Sequence, residues 1–166
     1  YAHLLENALL IDGNLFANGY KEIQLSSRKL HFWFAVKQEK QTHALYSSHY
    51  GNIYWGHWLL DDCLRYFLAE KFGAVTAPLR KPFTHQSDYE RLLGMKVNYL
   101  NAVNFESLWV FDDGGQNDSK RARYAELRER LLKAIDMSQS AEHTGIYLMR
   151  GLSGARRLMI NELEVA

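Results

Sequence analysis

Residues 54 to 72 constrain this chain more than any other stretch. Trp55, Trp58, Leu59, Leu60, Leu64, Tyr66, Phe67 and Leu68 recur at helical spacing on more than one face. A helix apolar nearly all round must be covered on every side, so the rest of the chain has to wrap it in a core. At 166 residues, with 47% apolar and 23% charged side chains, the sequence can build that core and is not a disordered tail. The length suits one ordinary domain and excludes two full-sized ones.

Within this apolar helix stand three groups that need partners. His57, Asp61 and Arg65 are spaced one turn apart and are expected on one face. In apolar surroundings they are costly unless they pair or open onto a cleft. A carboxylate beside an imidazole fixes its tautomer and raises its basicity, which suits a general base or a polar substrate contact. The same spacing also serves a structural ion-pair network, and spacing alone leaves both readings open.

Before the helix, apolar runs broken by Asp12-Gly13 and Asn18-Gly19 predict an antiparallel meander over residues 7 to 36, because both dipeptides tolerate positive φ. Leu30 to Val36 and Ala44 to Ser47 are expected as further strands. After the helix, Gly73 is expected as its C-terminal cap and Ala74 to Leu79 as a strand. Ser87 to Leu93 is expected as a short helix capped by Ser87 and ended by Gly94, and Leu108 to Phe111 as a buried strand. A helix is expected over Ser119 to Ile135, with Tyr124, Leu127, Leu131 and Ile135 facing inward. Its basic side, Arg121, Arg128, Arg130 and Lys133, reads as a solvated face. Strands alternating with helices predict α/β layering with parallel strands.

The polar stretch 137 to 144 marks the expected boundary, giving one domain over 1 to 138 and the beginning of another over 139 to 166. There, Gly145-Ile-Tyr-Leu-Met149 reads as a strand leading into Arg150-Gly-Leu-Ser-Gly-Ala-Arg-Arg157. Glycines let backbone N–H groups approach an anion, and guanidinium forks grip phosphate oxygens bidentately, so this loop suits a diphosphate as well as an ordinary basic turn. It matches neither a P-loop nor the dinucleotide-binding glycine fingerprint.

Other chemistries are disfavoured. Net charge is +1, so no global field draws in nucleic acid, and Gly151 to Gly154 lacks the basic aromatic platform of an RNA-binding loop. His43, His49 and His57 have no zinc spacing. Asp112-Asp113 admits a magnesium or manganese ion, but the following Gly114-Gly115 makes a turn the simpler account. No cofactor is expected. The single Cys63 and the absence of a membrane-length apolar run or a signal-peptide pattern point to the cytoplasm, with peripheral membrane association left open. The start without Met and the run of the last residues into an unfinished element lead us to expect a fragment.

Taken together, two segments resemble glycosyltransferase family 61, whose bacterial members are often labelled capsular polysaccharide biosynthesis proteins. Tyr54-Trp-Gly-His57-Trp58-Leu-Leu-Asp61 is similar to that family's tyrosine, histidine-tryptophan-leucine and acidic pattern. Ile146-Tyr-Leu-Met-Arg150, with Arg157-Leu-Met-Ile-Asn161-Glu162-Leu-Glu164, is similar to its strand-arginine, arginine and asparagine-glutamate pattern. The resemblance implies an inverting, metal-independent enzyme of the GT-B type, moving a sugar from a nucleotide donor to a glycan or other hydroxyl acceptor. Residues 1 to 138 would be its Rossmann-like N-terminal lobe with a β meander, and 139 to 166 the start of the nucleotide lobe. It implies Arg150 and Arg157 on the diphosphate, Asn161 and Glu162 orienting the donor, and His57, Asp61 and Trp58 on the acceptor side. A binding protein that holds a carbohydrate or nucleotide sugar without turnover, and a structural interaction domain, are the other classes the residues allow.

Overall fold

In the computed structural model, residues 1–25 and 35–135 are described, and every statement of structure below refers to them. Three strands open the chain: β1 (Ala2–Ile11), β2 (Asn14–Ala17) and β3 (Tyr20–Ile23), paired antiparallel in sequence. The meander is therefore present, with both expected turns. Asp12 and Gly13 take φ of 46° and 72°, the two positive values a tight primed hairpin turn needs. Leu30 to Phe34, in the expected fourth strand, lie outside the described residues.

β4 (Lys37–Glu39) and β5 (His43–Leu45) follow. The chain then turns helical: α1 (His49–Ile53), α2 (Trp55–His57), a π-helical turn (Trp58–Asp62) and α3 (Cys63–Ala69). β6 (Ala74–Pro78), α4 (Gln86–Leu93), β7 (Asn98–Leu100), β8 (Ala102–Phe111) and α5 (Asp118–Ala134) complete this part. The architecture is mixed α/β. Its mixed sheet has eight strands in the order β3-β2-β1-β8-β5-β6-β7, with β4 paired to β8 off this path. β8, β5, β6 and β7 run parallel, and β1 joins β8 antiparallel.

That order forces the sheet to coil. β7 and β8 stand three places apart, about 14 Å in a flat sheet at ~4.8 Å per strand. Yet only Asn101 separates Leu100 from Ala102, a link that spans about 7 Å. The strands must curl to close the difference. Accordingly Leu100 packs into one cluster with Leu10, Leu15 and Val103, and the Asp12 N–H donates to the Asn101 carbonyl at 3.1 Å.

The coiled sheet has two cores. On one face Ala44, Tyr46, Val75 and Ala77 meet Trp58, Leu64, Phe67 and Leu93 from the helices, with Tyr124, Leu127 and Leu131 of α5 against them. On the other, Leu45, Leu108 and Val110 meet Ala8, Leu10, Leu15 and Phe105, so strands cover strands. α2, the π turn, α3, α4 and α5 thus pack on one face. Leu64, Phe67 and Cys63 have no exposure, as the apolar helix required, but the covering is incomplete before Asp61, where Leu60 is 50% exposed.

Several boundaries differ from the sequence reading for physical reasons. β8 begins six residues before Leu108 because Val103 and Phe105 alternate with the more exposed Asn104 and Glu106, a half-buried strand pattern rather than a loop. Gly73 does not cap the helix, which ends at Ala69 with Glu70 as its cap; a Cβ at Gly73 would stand 2.5 Å from the Thr42 carbonyl oxygen, so glycine permits close packing. α4 starts one residue early, with His85 rather than Ser87 at the cap position. Gly94 ends it in the left-handed conformation as expected.

Candidate functional site

The parallel part of the sheet has a topological switch. From β5 the chain moves outward to β6 and β7, then returns to β8 on the other side of β5. In open α/β sheets such a reversal leaves a crevice at the carboxyl ends of the two strands, where ligands bind. Here those ends lead into Tyr46–Ser48 and α1 after β5, and into residues 112–117 and α5 after β8. Both following helices are capped by side chains: Ser48 Oγ accepts from Gly51 N at 3.1 Å and Asn117 Oδ1 from Lys120 N at 2.9 Å.

Two adjacent carboxylates, Asp61 and Asp62, are sorted to opposite environments by the π turn. Its backbone N–H of Cys63 reaches back five residues to Trp58 O, which inserts a residue into the helical rotation. Asp62 is fully buried. It accepts from Ser48 N at 3.0 Å, Ser48 Oγ at 2.8 Å and Arg65 Nη1 at 2.7 Å, and Arg65 also donates to Tyr46 O at 3.1 Å. Burial pushes the Asp62 carboxyl up to about 6, against the pull of Arg65 and Ser48. This carboxylate is part of the core.

Asp61 faces outward. Its Oδ2 lies 2.9 Å from His57 Nδ1 and its Oδ1 accepts from Lys120 Nζ at 2.7 Å. Partial burial pushes this carboxyl up, but the bonds from Lys120 and His57 outweigh it and hold it below the usual carboxylate range. An ionised carboxylate only accepts hydrogen bonds, so Nδ1 carries the proton and Nε2 of the neutral ring is the acceptor. Nε2 has no hydrogen-bond partner among the described residues, and the His57 side chain is 54% exposed. The rings of Tyr50 and Tyr54, both more than half exposed, stand 5.6 and 6.1 Å from the imidazole.

Of the expected trio, then, His57 and Asp61 meet, while Arg65 turns away to Asp62. Trp58 also departs from expectation. It is fully buried, stacks on Trp55 at 5.0 Å and donates from Nε1 to Tyr46 Oη at 3.2 Å, which makes it a core residue. Arg150, Arg157, Asn161 and Glu162 lie outside the described residues.

The sequence reading missed Lys120 and Arg123, both almost completely buried. Arg123 grips Asp113 through Nη2 at 2.6 and 2.7 Å, which gives that carboxylate a structural partner in place of the metal considered for it. A signal for Lys120 was present: it continues the stripe of Tyr124, Leu127 and Leu131 one turn toward the N-terminus, so it belongs to the inward face. Arg130, assigned to the solvated side, instead lies over the Phe67 ring at 4.3 Å and bonds Glu70 and Glu126. Among the described residues no group of three or more His, Cys, Asp or Glu is arranged to hold a metal ion. No helix among them is long and apolar enough to cross a membrane.

Comparison with protein-family models, with curated proteins and with solved structures finds no match to this chain.

Proposed function

We propose that the protein is an inverting glycosyltransferase of GT-B type, acting on a nucleotide-sugar donor and a hydroxyl acceptor in capsular or other surface polysaccharide biosynthesis, in the cytoplasm. The observation that carries this reading is the His57–Asp61 pair, anchored by Lys120, with Nε2 of the imidazole open to solvent beside the switch point. Inversion requires one base and a stabilised leaving group. His57 Nε2 takes the proton of the acceptor hydroxyl as its oxygen bonds to the anomeric carbon. The bond from that carbon to the donor phosphate breaks, and its electron pair leaves with the nucleoside diphosphate. In this reading Arg150 and Arg157 bind the diphosphate, and Asn161 and Glu162 orient the donor. The parallel β8-β5-β6-β7 order, with its reversal between β5 and β8, supports an acceptor-side lobe.

The test uses the full-length natural protein and a panel of nucleoside-diphosphate sugars, measuring release of free nucleotide with and without glycan acceptors. His57→Ala is expected to lower kcat by ~10²-fold or more with donor affinity retained, as removal of a general base does. Arg150→Ala is expected to weaken donor binding. Donor binding without nucleotide release would instead identify a non-catalytic nucleotide-sugar binding protein, and neither binding nor release would overturn both.

A further inference from the structure

We infer that Lys120 is the positioning residue of this site: a buried ammonium on α5 that holds Asp61 so that one carboxylate oxygen, and only one, is presented to His57. The inference rests on the reading of His57 as proton acceptor. The π turn aims Asp61 outward, but its carboxylate is partly hydrated, with 30% of its side chain exposed, and so is free to rotate about its own bonds. Left alone, it would divide its two oxygens between water and the imidazole. Lys120 removes that freedom. Its side chain is 2% exposed and its Nζ donates to Oδ1, which leaves Oδ2 for His57 Nδ1. The imidazole is thereby kept in the tautomer with its proton on Nδ1 and its accepting lone pair outward on Nε2.

The anchor is itself rigid. Lys120 lies in the first turn of α5, where the Asn117 side chain caps its backbone N–H. One turn on, Tyr124 Oη donates to the Leu60 carbonyl at 3.1 Å, so α5 ties the π turn at a second point beside Asp61. Two hydrogen bonds from one helix, four residues apart, fix both the backbone and the carboxylate that orient the imidazole. Lys120 is enclosed on the inward face of α5, and its charge is answered by Asp61.

The experiment reads the His57 tautomer directly, by long-range ¹H–¹⁵N NMR of the whole chain labelled at histidine nitrogen. The wild-type protein is expected to show the Nδ1–H form of His57 dominant. Lys120→Met should raise the share of the other neutral form at least threefold, with the remaining six histidines unshifted, and Lys120→Arg should restore the wild-type pattern. An Nε2–H form dominant in the wild type, or a tautomer ratio unmoved by Lys120→Met, overturns the inference. Should the Met variant unfold, Lys120→Leu, which likewise cannot donate to Oδ1, replaces it and is read in the same way: a raised share of the other form supports the role and an unmoved ratio rejects it. A chain with no transfer activity but the expected tautomer series would overturn the transferase reading alone. Full transfer activity with an unmoved tautomer would overturn this inference alone.

Discussion

Replacing Asp62 by Asn should change the pH dependence of folding in a direction that the buried carboxylate dictates. Asp62 has no exposure, and burial places its folded pKa near 6 against an ordinary value of 3.8. The unfolded chain gives up this proton first as pH rises, while the folded chain keeps it until about pH 6, so wild-type stability falls across that window. At ~1.4 kcal/mol per pH unit, the gap amounts to about 3 kcal/mol. Asn is nearly isosteric with the protonated acid and does not titrate. At pH 4 both side chains are neutral, but Asn has one accepting oxygen where the carboxyl accepts at both, so the variant is expected to start about 1 to 3 kcal/mol below wild type. Between pH 4 and 7 the difference should move in favour of Asn by about 2 to 3 kcal/mol. Taking the difference between two proteins cancels every other titrating group that the substitution leaves alone. The assay is urea unfolding followed by tryptophan fluorescence at half-unit pH steps. A difference that stays flat, or that moves against Asn as the pH rises, would show that Arg65 and Ser48 outweigh burial, and would refute the reasoning.

Three further outcomes follow from the geometry. His43 is buried against the Phe105 ring at 4.9 Å, and burial lowers its pKa, so the unfolded chain takes up this proton first and stability is lost as pH falls below 6.5; His43→Gln should flatten that part of the acid limb in the same urea series. Asp61→Ala leaves the enclosed Lys120 ammonium without its partner and should cost ~3 kcal/mol or more, whereas Lys120→Met leaves Asp61 partly hydrated and should cost about 1 kcal/mol or less; equal or reversed urea midpoints would contradict the burial asymmetry. Gly51→Ala drives a Cβ to 1.8 Å from Asp62 Oδ2 and should lose about 3 kcal/mol, against about 1 to 2 kcal/mol for Gly94→Ala, which meets open space but strains a φ of 67°; thermal unfolding ranks the two.

Much of the local structure was legible in the sequence because its causes are local. Asp12-Gly13 and Asn18-Gly19 marked their turns, and Gly94 its helix end, through the positive φ that glycine tolerates. The apolar periodicity of residues 54 to 72 announced a buried helix, and four-residue spacing brought His57 to Asp61. What failed was reading faces past the π turn. A uniform α-helix would have carried Arg65 on with Asp61, and the inserted residue sent it to Asp62 instead.

The pairs that span the chain needed the fold. Lys120 and Asp61 are 59 residues apart, and nothing in either segment names the other; they meet because β8 returns beside β5 and sets α5 against the helix that follows β5. The coiling of the sheet was equally hidden, since it follows from which strands neighbour one another across a one-residue link. Amino-acid order thus determined turns, periodicities and near-neighbour pairs, where backbone geometry fixes the distance between residues. Tertiary structure alone decided which of two adjacent carboxylates became core and which faces solvent, because burial and long-range partners, rather than residue type, set the free energy of a charge.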